Sequence, residues 1–256
     1  MHRIEKIKPN FDVSLIVKMS KYSFHQYIGG IVEYFQIALV DLICVFYFLP
    51  TQMAFLAVSK SLSDVGTKMI PNAFNILLIS RISKLEDIYT INMLSAHAFR
   101  IILVILLITW LFICFFTKSI VFLMYGTKYY PMIQILRIFF LGFVLGRSCM
   151  VFVSYFSGIG RPDLSAKISI FSLITQVFFV FVFIYYELSL NSMAFAFLIS
   201  SVILFIFQTV LFIRLSSLPI KMLIPNYEDF ITIYRFIIKK IVLTKTFLKN
   251  TMLVGK

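Results

Sequence analysis

The chain has 256 residues, of which 61% are hydrophobic and only 14% charged, and its mean hydropathy is +0.96. A soluble globular chain runs nearer half apolar and a quarter charged, so this composition excludes a water-soluble domain and makes lipid the solvent. The formal charge of +13 would suggest nucleic acid in a soluble protein. Here the cations gather in loops and termini, where topology and anionic lipid account for them, and no nucleic-acid partner is expected.

Backbone groups in hydrocarbon must be satisfied internally, which leaves helices or a closed barrel, and barrels need short segments alternating apolar with polar residues. The apolar runs here are continuous, as in 101–116 and 168–186. The expectation is an all-α integral membrane protein with a bundle of about six helices, at 22–48, 52–80, 97–117, 132–157, 164–186 and 191–214. Residues 1–21 then form a basic cytoplasmic segment, 22–214 the transmembrane lobe, and 215–256 a basic amphipathic cytoplasmic tail. Lys18 and Lys21 interrupt the first apolar run and no small-residue cleavage site follows, so that segment is expected to remain in the protein. Pro50 separates the first two spans, and the Gly158-Ile159-Gly160-Arg161-Pro162-Asp163 run separates the fourth from the fifth. Residues 120–130 read as an interfacial piece on the outer face, and 226–249, which interleaves apolar residues with Lys239, Lys240, Lys245 and Lys249, as an amphipathic interfacial helix.

Orientation follows from the cations. With both termini cytoplasmic, eighteen of the 24 Lys and Arg lie inside, and only Lys118 and Lys128 fall in outer loops. The other four, Lys60, Lys68, Arg137 and Arg147, lie within spans.

A charge near the bilayer centre costs about 2.5–3.5 kcal/mol on insertion scales, so these groups need a partner or an aqueous cavity. Lys60, Asp64 and Lys68 at i, i+4, i+8 share one helix face, which is either a wall of a water-filled pathway or a neutralised stack. Glu33 and Asp41 in the first span could take up a coupling ion. Alternatively, Asp41 pairs with Lys60 or Lys68 across the short hairpin. Arg137 and Arg147, ten residues apart, could form a cationic ladder suited to a diphosphate, since guanidinium donates paired hydrogen bonds to phosphate oxygens. Arg137 also reads as a side chain reaching back to the outer interface. Pro71 is a candidate bend, and Gly142 and Gly146 form a GxxxG that permits close helix approach.

Cys44, Cys114 and Cys149 fall inside apolar runs without CxxC or His-paired spacing, and read as core thiols. His25 and His97 lack ligand-like neighbours. No HExxH, GxSxG or paired-carboxylate pattern occurs, so no metal, cofactor or enzymatic activity is expected.

Several motifs resemble the polysaccharide (O-antigen type) flippases of the multidrug/oligosaccharidyl-lipid/polysaccharide exporter superfamily. Tyr125-Gly126, Tyr130-Pro131, Leu136-Arg137 and Gly160-Arg161-Pro162 are similar in order and spacing to that family's outer loop and following cytoplasmic turn. The opening from Lys21-Tyr22-Ser23 to Val40-Asp41 resembles the start of its second helical lobe. Ile79-Ser80-Arg81-Ile82-Ser83 resembles the close of the next helix, and Ile224-Pro225 with Asp229 its tail. The chain departs from the pattern at His25 and Ser80, where the family has Pro, and at Leu39, where it often has Arg.

The resemblance covers nearly the whole chain, and only the C-terminal one of the family's two six-helix lobes. It implies alternating-access transport of an undecaprenyl-diphosphate-linked oligosaccharide, an O-antigen or capsule repeat unit, across the bacterial inner membrane. Arg147, Lys60, Lys68 and Arg137 become candidates for binding the diphosphate and sugar. Asp41, Asp64 and Glu33 become candidates for balancing charge or carrying a coupling ion. Membrane lipid and a homologous first lobe, or a second copy, are the implied partners. A drug exporter of the same superfamily, an inactive fragment and a structural subunit remain open as alternatives.

Overall fold

The computed structural model describes residues 13–186, 189–227, 229 and 231. Among them are seven α-helices and no strand: α1 (Val13–Tyr47), α2 (Pro50–Ile82), α3 (Ile88–Tyr125), α4 (Met132–Ser148), α5 (Met150–Gly158), α6 (Pro162–Tyr186) and α7 (Leu190–Ser216). Single 3-10 turns follow α3 and α7, at Thr127–Tyr129 and Ile220–Leu223.

The helix ends have local causes. Pro50 opens α2, where its missing N–H is no loss, and the Gln52 side chain accepts from the Leu49 N–H at 3.0 Å. Asp87 caps α3, accepting from the N–H groups of Tyr89 (3.1 Å) and Thr90 (3.0 Å). Those bonds hold the Asp87 carboxyl below the usual carboxylate range, the Thr90 hydroxyl contributing most, followed by the Thr90 and Tyr89 amides. Ser189 caps α7 through the Ser192 N–H at 3.1 Å.

The six expected rods are present, and the fourth is broken. The chain passes from α4 to α5 through Cys149, so the 132–157 span is two helices in one line of sequence. Five stretches are long and apolar enough to cross a bilayer: α1, α3, α4 with α5, α6 and α7. The sixth rod, α2, has 33 residues but carries Lys60, Asp64 and Lys68 in its middle. It runs on through Pro71, which removes one ladder donor without ending the helix.

Two expectations need correction at their edges. α1 runs from Val13, so the first rod begins before the expected residue 22 and takes in Lys18 and Lys21, while Arg3, Lys6 and Lys8 lie outside the described residues. Residues 120–125 are no separate interfacial piece. They continue α3, with Phe122, Leu123 and Met124 exposed on the same apolar rod. The helix ends only at Gly126, whose φ of +78° suits glycine. Most of 226–249 lies outside the described residues, as does the side chain of Glu33.

Packing is uneven. α4 sits centrally against α2, α3 and α7, and α6 packs on α7, while α1 leans on α6 and meets α2 sparsely. Apolar clusters close both ends. At the α2–α3 end, Phe99, Phe152 and Phe212 stack at centroid distances of 4.7 and 4.6 Å. The buried Tyr155 hydroxyl there donates to Asn92 at 2.8 Å, and Asn92 donates to the Ser216 carbonyl at 3.1 Å, tying α3, α5 and α7 together. At the α1–α2 end, Val40, Cys44, Phe48, Leu56, Phe139 and Val180 form the second cluster. Buried hydroxyls between the clusters donate to their own helix, as Ser63 does to the Ser59 carbonyl (2.7 Å) and Thr67 to the Ser63 carbonyl (2.8 Å).

Candidate functional site

Between the two clusters, at mid-height, lies a cavity of about 430 Å³. Its walls come from residues 36–41 of α1, 57–64 of α2, 142–150 across the α4–α5 break, 168–176 of α6 and 197–208 of α7. A second cavity of about 320 Å³ continues toward the Pro50 end and shares Asp41, Ala57, Lys60, Gln176 and Phe197 with the first.

The charged groups of the first cavity stand on α1, α2 and α4. Lys60 Nζ donates to Asp41 Oδ1 at 2.7 Å, so of the two cross-hairpin pairings open to Asp41, the structure makes the one with Lys60. This pair sits where the two cavities meet. One α-helical turn further along α2, Asp64 accepts from the Arg147 guanidinium and also lies 3.7 Å from Lys68 Nζ. Arg147 reaches across from the last turn of α4, its guanidinium 5.9 Å from the Phe143 ring centroid, and Nη1 lies 3.7 Å from Met150 Sδ. The Lys60 and Arg147 side chains are only 16% and 13% exposed. A buried cation left without a carboxylate would be costly, which explains why each is matched with one.

The other candidates are placed differently. Lys68 is exposed and outside the cavity lining. Arg137 is turned to α3, where Nη2 donates to the Cys114 carbonyl at 2.7 Å and Nε to Thr117 Oγ1 at 3.3 Å, while Trp110 Nε1 donates to the Arg137 carbonyl at 3.3 Å. Arg137 therefore joins α3 to α4 and does not stand above Arg147 as a ladder. The glycine pair divides its work: a Cβ at Gly142 would come within 2.7 Å of the Phe197 ring, whereas a Cβ at Gly146 would meet nothing within 4 Å and point into open space beside Arg147.

Sequence reasoning looked for charge and passed over the neutral side of the cavity. Ser169, Ser172 and Gln176 recur at helical spacing on α6, and Ser200, Ser201 and Gln208 on α7. Gln36 of α1 joins them, accepting from Ser172 Oγ at 3.1 Å and donating to Gln176 Oε1. The signal was there as polar residues three and four apart in otherwise apolar spans. A further ionic cluster ties the segment after α7 to α3: the buried Asp229 lies 3.1 Å from Arg100 Nε and 3.4 Å from His97 Nδ1. Cys44, Cys114 and Cys149 are free thiols.

Residues 2–134 match the sequence profile of the family described as "Polysaccharide biosynthesis protein", more than half of the chain. The chain belongs to that family. The match takes in Asp41, Lys60 and Asp64 and stops before Arg147. One side of the cavity therefore lies in the matched region and the other beyond it. No curated protein matches the chain.

Solved structures give the fold. One is described as the outward-facing conformation of a multidrug resistance MATE family transporter of the MOP superfamily; the match has a TM-score of 0.70 and 18% identity, and covers 84% of this chain and 49% of that one. Another, described as the crystal structure of a MATE point mutant, matches with a TM-score of 0.71 and 16% identity, over 84% and 50%. The chain thus spans about half the length of the MATE chains whose fold it shares. With five helical stretches long and apolar enough to cross a bilayer, it is a multi-pass helical membrane protein.

Proposed function

We propose that this chain is one lobe of a flippase that moves an undecaprenyl-diphosphate-linked oligosaccharide, such as an O-antigen or capsule repeat unit, across the bacterial inner membrane by alternating access. In this reading 22–214 is the transporting lobe, both termini are cytoplasmic, and a second lobe facing the cavity completes the pathway. Transporters commonly enclose their substrate at mid-bilayer between two such repeats. The single observation that carries the reading is the mid-height cavity walled by Lys60 and Arg147 in a member of the polysaccharide biosynthesis family.

The chemistry is an exchange of partners. Lys60 is neutralised by Asp41 and Arg147 by Asp64. An incoming diphosphate takes over the two cations, Arg147 through paired N–H donors and Lys60 as a point charge. Asp41 and Asp64 then lose these partners, Asp64 keeping Lys68 at 3.7 Å, and a proton or a metal cation restores neutrality. Substrate binding and ion uptake are linked in this way, and release of one favours release of the other. A drug exporter is the weaker reading, because a cationic drug gains nothing from Lys60 and Arg147 on the cavity wall.

The test is complementation of a strain lacking its polysaccharide flippase, with this chain alone and with a matching first lobe coexpressed. Restored surface polysaccharide that is lost again in Lys60→Gln/Arg147→Gln supports the reading. Restoration by the chain alone means that two copies form the pathway; restoration only with the partner means a divided transporter. Membrane-inserted protein that restores nothing in either arrangement overturns transport and leaves a structural subunit or an inactive fragment.

A further inference from the structure

The cavity has two chemically unlike walls, and binding of a diphosphate uses only one. Among the described residues, every charged side chain lining the first cavity stands on α1, α2 or α4, while α6 and α7 contribute none. What α6 and α7 offer are hydroxyls, amides and aromatic rings.

The hydroxyls are already committed as donors. Ser200 and Ser201 both donate to the Phe197 carbonyl at 2.8 Å, Ser169 to the Ser165 carbonyl at 3.2 Å, and Ser172 to Gln36 Oε1 at 3.1 Å. A serine that has spent its proton inward presents only lone pairs outward. Gln208 is the decisive residue. It lines the cavity, is 8% exposed, and its Oε1 is buried with no hydrogen-bond donor. An orphaned carbonyl oxygen in an apolar interior is uncommon and calls for a partner. The α6–α7 wall therefore presents serine lone pairs together with the amide groups of Gln176 and Gln208, and no charge.

Aromatic rings flank it: Phe143 and Phe197 lie with centroids 4.8 Å apart, and Phe205 lines the same wall. Such rings pack on the C–H faces of a sugar while its hydroxyls reach the polar atoms.

We propose that the α6–α7 wall is a recognition surface for an uncharged, hydroxyl-rich sugar, centred on Gln208, and that it discriminates against acidic sugars. This rests on the flippase reading, and it adds the substrate's sugar class. A sugar hydroxyl both donates and accepts, and so matches the serine lone pairs and the amide groups of Gln176 and Gln208. A uronic-acid carboxylate is charged and loses its hydration against that wall with no cation on α6 or α7 to compensate it. The two walls thereby orient the headgroup, with the diphosphate against α2 and α4 and the first sugar against α6 and α7.

The experiment uses the purified chain in lipid nanodiscs, titrated with farnesyl diphosphate and with the same lipid carrying glucose, galactose, N-acetylglucosamine or glucuronic acid. The expected result is that at least one neutral-sugar lipid binds about tenfold tighter than the sugar-free one, and that the glucuronic-acid lipid binds no tighter than the sugar-free one. Gln208→Met, which keeps the shape and removes the orphaned oxygen, should bring the neutral-sugar advantage to within about twofold of none. Ser172→Ala supplies an independent reduction should Gln208→Met fail to fold. Equal affinity for sugar-free and every sugar-bearing lipid overturns this wall and leaves the diphosphate site standing. So does a glucuronic-acid lipid that matches the best neutral one. Failure of every probe, the sugar-free lipid included, brings down the flippase reading and this inference with it.

Discussion

Lys60 Nζ lies 2.7 Å from Asp41 Oδ1, fastening the middle of α2 to the C-terminal third of α1 at the junction of the two cavities. Asp41 is half exposed, but its partner Lys60 is largely buried, so removing the carboxylate charge should lower the melting temperature. Asp41→Asn, which keeps the side-chain shape, should still fold and insert. It releases Lys60, so farnesyl diphosphate should bind several-fold tighter, while export in a complete transporter falls because the substrate is no longer displaced by the returning carboxylate. Unchanged affinity would show that the pair has no part in the site.

Arg147 and Asp64 should behave as a unit. Charge-assisted hydrogen bonds contribute about 1.5–3 kcal/mol, so Arg147→Gln should lower diphosphate-lipid affinity by about 10- to 100-fold. It also takes the guanidinium from Asp64, which then keeps only Lys68 at 3.7 Å, and the melting temperature should drop. Adding Asp64→Asn should recover the melting temperature but not the binding. Recovery of both would mean that the pair is purely structural.

The two glycines of α4 give opposite expectations. Gly146→Leu should fold with a near-native melting temperature, since its Cβ meets nothing within 4 Å, and should block binding by filling the cavity. Gly142→Leu should destabilise by about 1–3 kcal/mol, because the side chain runs into Phe197. Thermal unfolding in detergent with parallel lipid titration separates the two. A Gly146→Leu protein that binds normally would place the substrate elsewhere.

The rods, their order and their hairpins were legible in the sequence because continuous apolar runs and the Pro50 and Gly160-Arg161-Pro162 turns are local signals. The break at Cys149 was not: Gly146-Arg147-Ser148 interrupts the apolar run just before it, but small and charged residues within a span do not by themselves say that a helix ends. Among the charges, the Asp41–Lys60 contact was readable as one of two hairpin pairings. The reach of Arg147 across 83 positions to Asp64 depends on how α4 packs on α2, which no spacing reveals. Arg137 was misleading for the same reason: its position along the span was right for a ladder, but its azimuth faces α3. The neutral wall was overlooked because serine and glutamine in a membrane helix read first as packing.

The cap of α3 gives a pH signature outside the bilayer. The Asp87 carboxyl is depressed in the folded protein relative to its ordinary value, so its contribution is complete above the usual carboxylate range and is lost as pH falls through the depressed value. Asp87→Asn retains a cap but does not titrate. The wild type should melt above Asp87→Asn at neutral pH, and the gap should close below about pH 4. A gap that stays constant down to about pH 3 would show that the charge contributes nothing there.

Because α1 leans on α6 and only sparsely meets α2, the wall that holds Asp41 and Lys60 is a thin one, bridged by their ion pair. On the flippase reading proposed above, a long polyprenyl chain stays dissolved among the neighbouring lipids, outside that crevice, while its polar head travels within. The work of crossing is then confined to the headgroup. The hydrocarbon never leaves its own solvent, and a lobe with a cavity of about 430 Å³ can serve a lipid many times that size.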